Sequence, residues 1–169
     1  MDSNTIVWIV LLVLMILPLY WLFQSGSKTR KKLTATLVQL AKEKNSTLTK
    51  QDYCDKTIIG FCDQNQFLFY AESTQKGIVT KIVDLNQMKS CKIVTTDKDA
   101  IAANGKPTRV IDRLELSLAY INPETPNELL EFYNTANGSF ALSGELQLIE
   151  KWEHLVNETI KKTVNANNK

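Results

Sequence analysis

The chain has 169 residues, with 20 Lys and Arg against 18 Asp and Glu, a single His and three Cys. Every base, and every acid except Asp2, lies after residue 23, and four of the bases crowd into Lys28, Arg30, Lys31 and Lys32. The rest of the body is therefore near neutral, which argues against a nucleic-acid footprint. Three cysteines without a C-x-x-C pair, and one His far along the chain, lack the ligand spacing of a structural zinc site.

In chain order, the first feature is the uncharged run from Ile6 to Phe23. At 1.5 Å per residue it covers roughly 27 Å, close to the ~30 Å hydrocarbon core of a bilayer. Thirteen of its residues are Leu, Ile, Val or Phe, and together they favour insertion by about 4 to 8 kcal/mol. It lacks the polar stripe of a buried core helix. A cleaved signal peptide is the rival reading, with Ser25-Gly26-Ser27 as its cleavage site. An acidic start and an apolar stretch longer than ~15 residues weigh against that rival. The expectation is a single-pass anchor over 6–23, with a short extracytoplasmic N-terminus over 1–5. The basic cluster sits in the joint over 24–30 and just beyond it. Its position places the C-terminal body in the cytoplasm, with Lys28, Arg30, Lys31 and Lys32 at the membrane surface.

Beyond the joint, 31–56 reads as a helix and connection, because Leu33, Leu37, Leu40 and Ala41 fall on one helical face up to about Lys44. From 57 to 162 the chain reads as an antiparallel domain. Predicted strands are Thr57–Cys62, Gln66–Glu72, Ile78–Leu85, Lys92–Thr96, Arg109–Ile121, Leu129–Tyr133 and Ser139–Leu142. The polar stretch Asp97 to Thr108, with Asn104-Gly105 and Pro107, predicts a loop. In Arg109–Ile121, Leu114, Leu116 and Leu118 alternate with Arg113, Glu115 and Ser117, so those three leucines are candidate core. A helix from about Ser143 to Lys162 carries Ile149, Trp152, Val156 and Ile160 on its apolar stripe, with Ser143 as N-cap. Residues 163–169 read as a frayed tail.

About seven antiparallel strands closed by an amphipathic C-terminal helix define an α+β bent sheet or open barrel. This order, together with Trp152 in the terminal helix, resembles the pleckstrin-homology superfold over roughly Thr57 to Lys162. The resemblance implies two near-orthogonal sheets with Trp152 packed into the core. Small membrane-anchored bacterial proteins carrying such a domain look similar. A phosphoinositide-binding member would place Lys and Arg in its first hairpin loop, and Cys62-Asp63-Gln64-Asn65-Gln66 has none.

Sites are sparse. Lys76, Lys81, Lys89, Lys92 and Lys98 form at most a mild basic surface on the middle strands. His154 is isolated, and no cysteine has a basic neighbour that would activate a thiolate. Glu124, Glu128, Glu131, Asp97 and Asp99 serve acid–base or metal chemistry only if the fold pairs them. Asn45, Asn137 and Asn157 open N-x-Ser/Thr triplets that read as chance matches. No Gly-rich phosphate loop or hydrolase motif occurs. The expectation is a non-enzymatic module without cofactor or metal, which presents its domain to a protein partner at the lipid bilayer. The alternative is a tethered sensor or binding protein for a small ligand or lipid.

Overall fold

The computed structural model describes residues 28–101, 105–137, 142 and 144–167. The expected span over 6–23, the strand over Ser139–Leu142 and the N-cap Ser143 lie outside the described residues, apart from Leu142, which belongs to no strand. Among the described residues no helix is long and apolar enough to cross a membrane.

Among the described residues the architecture is α+β: two helices and seven strands in two antiparallel sheets, without barrel closure. Helix α1 covers residues 28–43. The four-stranded sheet pairs β1 (Lys50–Cys54), β2 (Thr57–Cys62), β3 (Phe67–Thr74) and β4 (Gly77–Asp84) in sequence order. After a 3-10 turn at Leu85–Gln87, the three-stranded sheet pairs β5 (Met88–Ile101), β6 (Pro107–Tyr120) and β7 (Glu128–Asn134). Helix α2 (Glu145–Asn167) ends the described chain.

The four-stranded sheet is covered on both faces. Its inner face gives Ile59, Phe61, Leu68, Tyr70 and Val83 to the main core, which they share with Leu114, Leu116 and Leu118 of β6 and with α2. Its outer face packs Ile58, Cys62, Phe69 and Ala71 under Leu33, Leu37 and Ala41 of α1. Every residue of β2 is buried as a result. This explains why Thr57–Cys62 is an almost unbroken apolar run, the pattern of a strand enclosed on two sides. Gly60 completes the fit. A Cβ there would lie 2.7 Å from Leu37 Cδ2 and 3.0 Å from Leu48 Cδ2, so α1 settles onto the sheet only where the side chain is missing.

Three expectations need correction. Residues 50–54, read as connection, are edge strand β1, paired from Lys50↔Phe61 to Cys54↔Thr57. The sequence Lys-Gln-Asp-Tyr-Cys hides this, because an edge strand needs few apolar residues. The predicted loop at 97–108 is mostly strand. After a register shift at Thr96/Asp97, β5 and β6 continue as a ribbon out to Ile101↔Pro107. Backbone pairing holds this ribbon together, and Lys98–Asp112 (2.8 Å) joins it across the strands, so no apolar alternation advertises it. Residues 163–167, read as tail, extend α2. The Thr163 hydroxyl lies between the Thr159 carbonyl and the Gln66 side-chain oxygen, which ties the last turns to the β2–β3 loop.

Helix α2 also closes the free edge of β5. Asn157 accepts from the Cys91 N–H and donates to the Cys91 carbonyl, both at 2.9 Å, as a neighbouring strand would. Trp152 is fully buried, and its indole N–H donates to Asp52 Oδ2 at 3.0 Å. The same oxygen accepts from Lys151 Nζ at 2.7 Å, so β1 and α2 meet on one carboxylate.

Candidate functional site

Two places combine polar chemistry with open space. The first is a seam between the sheets. Tyr70 and Glu72 of β3 face Glu131 of β7, and the Tyr70 hydroxyl lies 2.5 Å from the Glu131 carbonyl and 3.0 Å from Glu72 Oε2. Asn137 Nδ2 donates to Glu131 Oε1 at 2.8 Å and reaches Glu72 Oε1 at 3.4 Å, so one amide spans both carboxylates. Lys56 Nζ donates to the Asn137 carbonyl, and Arg113 Nε lies 3.5 Å from Glu131 Oε2.

Burial raises the Glu72 carboxyl above its ordinary value. The Tyr70 hydrogen bond opposes the rise, Glu131 adds to it, and Lys81 and Lys56 oppose it. Burial likewise drives the Tyr70 phenol upward. The space beside this cluster measures about 10 Å³, room for about one water. As it stands, the seam is a clamp joining β3 to β7 and not a substrate site.

The second place is larger. Helix α1 ends in a Schellman motif. Asn45 takes the left-handed conformation at φ 49, while the Ser46 N–H reaches the Ala41 carbonyl (2.8 Å) and the Asn45 N–H reaches that of Lys42 (2.9 Å). The chain then arches through 46–49 and enters the sheet at Thr49, whose N–H donates to the Phe61 carbonyl at 2.8 Å. Between helix, arch and β1 lies a cavity of about 430 Å³, within the ~300 to 1,000 Å³ usual for small-molecule sites. Val38, Ala41 and Leu48 supply its apolar wall, and Lys42 and Lys50 its charge.

Cys62 lies near the arch. Burial raises its thiol, but the N–H groups of Asn65, Gln64 and Thr47 and the Ser46 hydroxyl outweigh that, and the thiol rests below its ordinary value. Burial pushes the Cys91 thiol up to about 12, with Glu153 adding to it. Burial and then Glu145 push Cys54 up to about 11.

The residues singled out by sequence fall as follows. Lys28, Arg30, Lys31 and Lys32 are all exposed on α1, and the Arg30 guanidinium sits 5.4 Å from the centre of the Tyr53 ring. Leu114, Leu116 and Leu118 are fully buried. Lys81 is bound to Glu128 and the Leu129 carbonyl, each at 2.6 Å, and Lys98 to Asp112. Asp99 lies 3.9 Å from Arg109, and His154 is exposed, 3.7 Å from Glu158. Asn157 spends its amide on Cys91. Of the five candidate acids, Glu131 shares the Asn137 amide with Glu72 and stands opposite Glu115 on β6, and nothing in the sequence around Glu72 marks it. Lys42 and Lys50 carry no local mark either, because α1 and β1 become one wall only in the folded chain. Among the described residues no group of three or more His, Cys, Asp or Glu is placed to hold a metal ion. Comparison of the chain with protein-family models, curated proteins and solved structures finds no match.

Proposed function

We propose that this chain is a single-pass membrane-anchored interaction module. It holds a pleckstrin-homology-like domain at the cytoplasmic membrane surface for a protein partner. The observation that carries this reading is the position of α1. The helix that follows the apolar run and bears the basic cluster buries Leu33, Leu37 and Ala41 in the outer core of the four-stranded sheet. The helix that carries the basic cluster is thereby part of the folded domain. Four strands, then three, then a helix with a buried Trp152 support the pleckstrin-homology-like assignment.

The β5–β6 ribbon supports a protein partner. Beyond the register shift at Thr96/Asp97 it leaves Val110 exposed on one face and Ile101, 81 % exposed, on the other, apolar contacts set among polar side chains that a partner gripping the ribbon would cover. Two experiments test the proposal. A reporter fused after Lys169 should be active only in its cytoplasmic form; activity of a lumen- or periplasm-dependent reporter overturns the topology. Crosslinking of the full chain followed by pull-down from detergent extract should recover a protein that the Ile101→Asp/Val110→Asp variant loses. Recovery of a lipid or metabolite with no protein would move the reading to a ligand-binding sensor.

A further inference from the structure

We propose that the cavity between α1 and β1 binds a single-chain amphiphile bearing one carboxylate, such as a medium-chain fatty acid. The volume of about 430 Å³ equals roughly fourteen waters at ~30 Å³ each, enough for a short chain and its head group. One wall is apolar, formed by Val38, Ala41 and Leu48, and the lining contains Lys42 and Lys50 but no acid. Among the described residues neither lysine forms a salt bridge, whereas Lys81, Lys98 and Lys151 each do. Two cations beside an apolar wall, without a counter-charge of their own, fit an anion with an apolar body.

The cavity also lies at the C-terminal end of α1, the wrong end of a helix macrodipole for an anion. That opposition is blunted here, because the carbonyls of Ala41 and Lys42 are already taken by Ser46 and Asn45 in the Schellman motif. The hydroxyls narrow the head group further. Ser46 donates to the Lys44 carbonyl and Thr49 to the Phe61 carbonyl, both at 3.1 Å, so neither is free to donate inward. Lys42 and Lys50 therefore remain as the charged donors, with the Thr47 hydroxyl and the Gln51 amide beside them and without an arginine fork. That set matches the two oxygens and single charge of a carboxylate better than a phosphate dianion.

The test uses the full chain in phosphatidylcholine nanodiscs with a diazirine-bearing decanoic acid as photoprobe and peptide mapping as readout. Label should fall within residues 38–51, and unlabelled decanoate should compete at least about tenfold better than decanol, the advantage expected from charge-assisted contacts. Lys42→Glu/Lys50→Glu and Val38→Trp, one reversing the charge and the other filling the space, should each cut the labelling by a similar factor. Lys161→Glu/Lys162→Glu should leave it unchanged. Lys42→Gln/Lys50→Gln repeats the charge test without introducing repulsion, should the reversal unfold the chain. Label outside 38–51, label indifferent to Val38→Trp, or equal competition by decanol overturns the site. Stronger competition by decyl phosphate than by decanoate overturns the carboxylate assignment.

Discussion

Glu72 holds a carboxyl half inside the seam between the sheets, where Tyr70, Asn137 and Glu131 surround it and Lys56 and Lys81 stand nearby. Its folded value is raised, chiefly by burial. A group raised on folding adds stability at low pH and loses that contribution as pH climbs through the folded value. Glu72→Gln keeps an acceptor for Tyr70 and removes the ionisation. The variant should therefore gain on the native chain as denaturation is moved from about pH 3 to about pH 8, on either side of the ordinary carboxyl range. A stability difference that stays constant over that range would show that Glu72 ionises no less easily folded than unfolded. Trp152 makes a different kind of claim, because its ring is enclosed and its N–H is satisfied by Asp52. Trp152→Ala should cost about 3 to 5 kcal/mol, as large-to-small changes in packed cores do. An unchanged melting temperature would mean that the ring packs loosely.

At the scale of elements, the contact between α1 and β2 is the most exacting in the fold, since Gly60 stands where Leu37 needs room. Gly60→Ala should destabilise by about 1 to 3 kcal/mol through overpacking. On that background Leu37→Ala should cost less than it does alone, a coupling that a double-mutant cycle reads directly. Additive costs would show that helix and sheet touch elsewhere. The same contact shows what was legible in the sequence. The helical face Leu33, Leu37, Ala41 could be read from spacing, and so could the alternation of Leu114, Leu116 and Leu118, because each is periodic and half buried. Which surface α1 covers could not be read, because the apolar residues of β2 point both ways and give no period. Strand β1 and the outer ribbon were hidden for the opposite reason: they are held by backbone pairing and carry polar side chains. The seam depends on β3 meeting β7, a long-range event that leaves no local mark on Glu72 or Glu131.

For the molecule as a whole, α1 decides where the folding unit begins. Ile58, Cys62, Phe69 and Ala71 form an apolar outer face that, among the described residues, α1 and its neighbouring arch cover. Leu33 and Leu37 are both fully buried against it, and burial of each is worth about 1.5 to 3 kcal/mol. Loss of the helix thus removes several kcal/mol from a domain whose total stability is expected near ~5 to 15 kcal/mol, and it leaves a bare apolar sheet as well. A chain of residues 28–169 should melt cooperatively without binding a hydrophobic dye. A chain of residues 47–169 should melt much lower or without cooperativity, and should bind the dye. Equal melting of the two would make α1 a removable cover, and the domain would then be free to move independently of whatever precedes residue 28. If the shorter chain fails, α1 must keep its place on the sheet whenever the domain is folded. The exposed bases Lys28, Arg30, Lys31 and Lys32 would then have a fixed position relative to both the cavity and the β5–β6 ribbon.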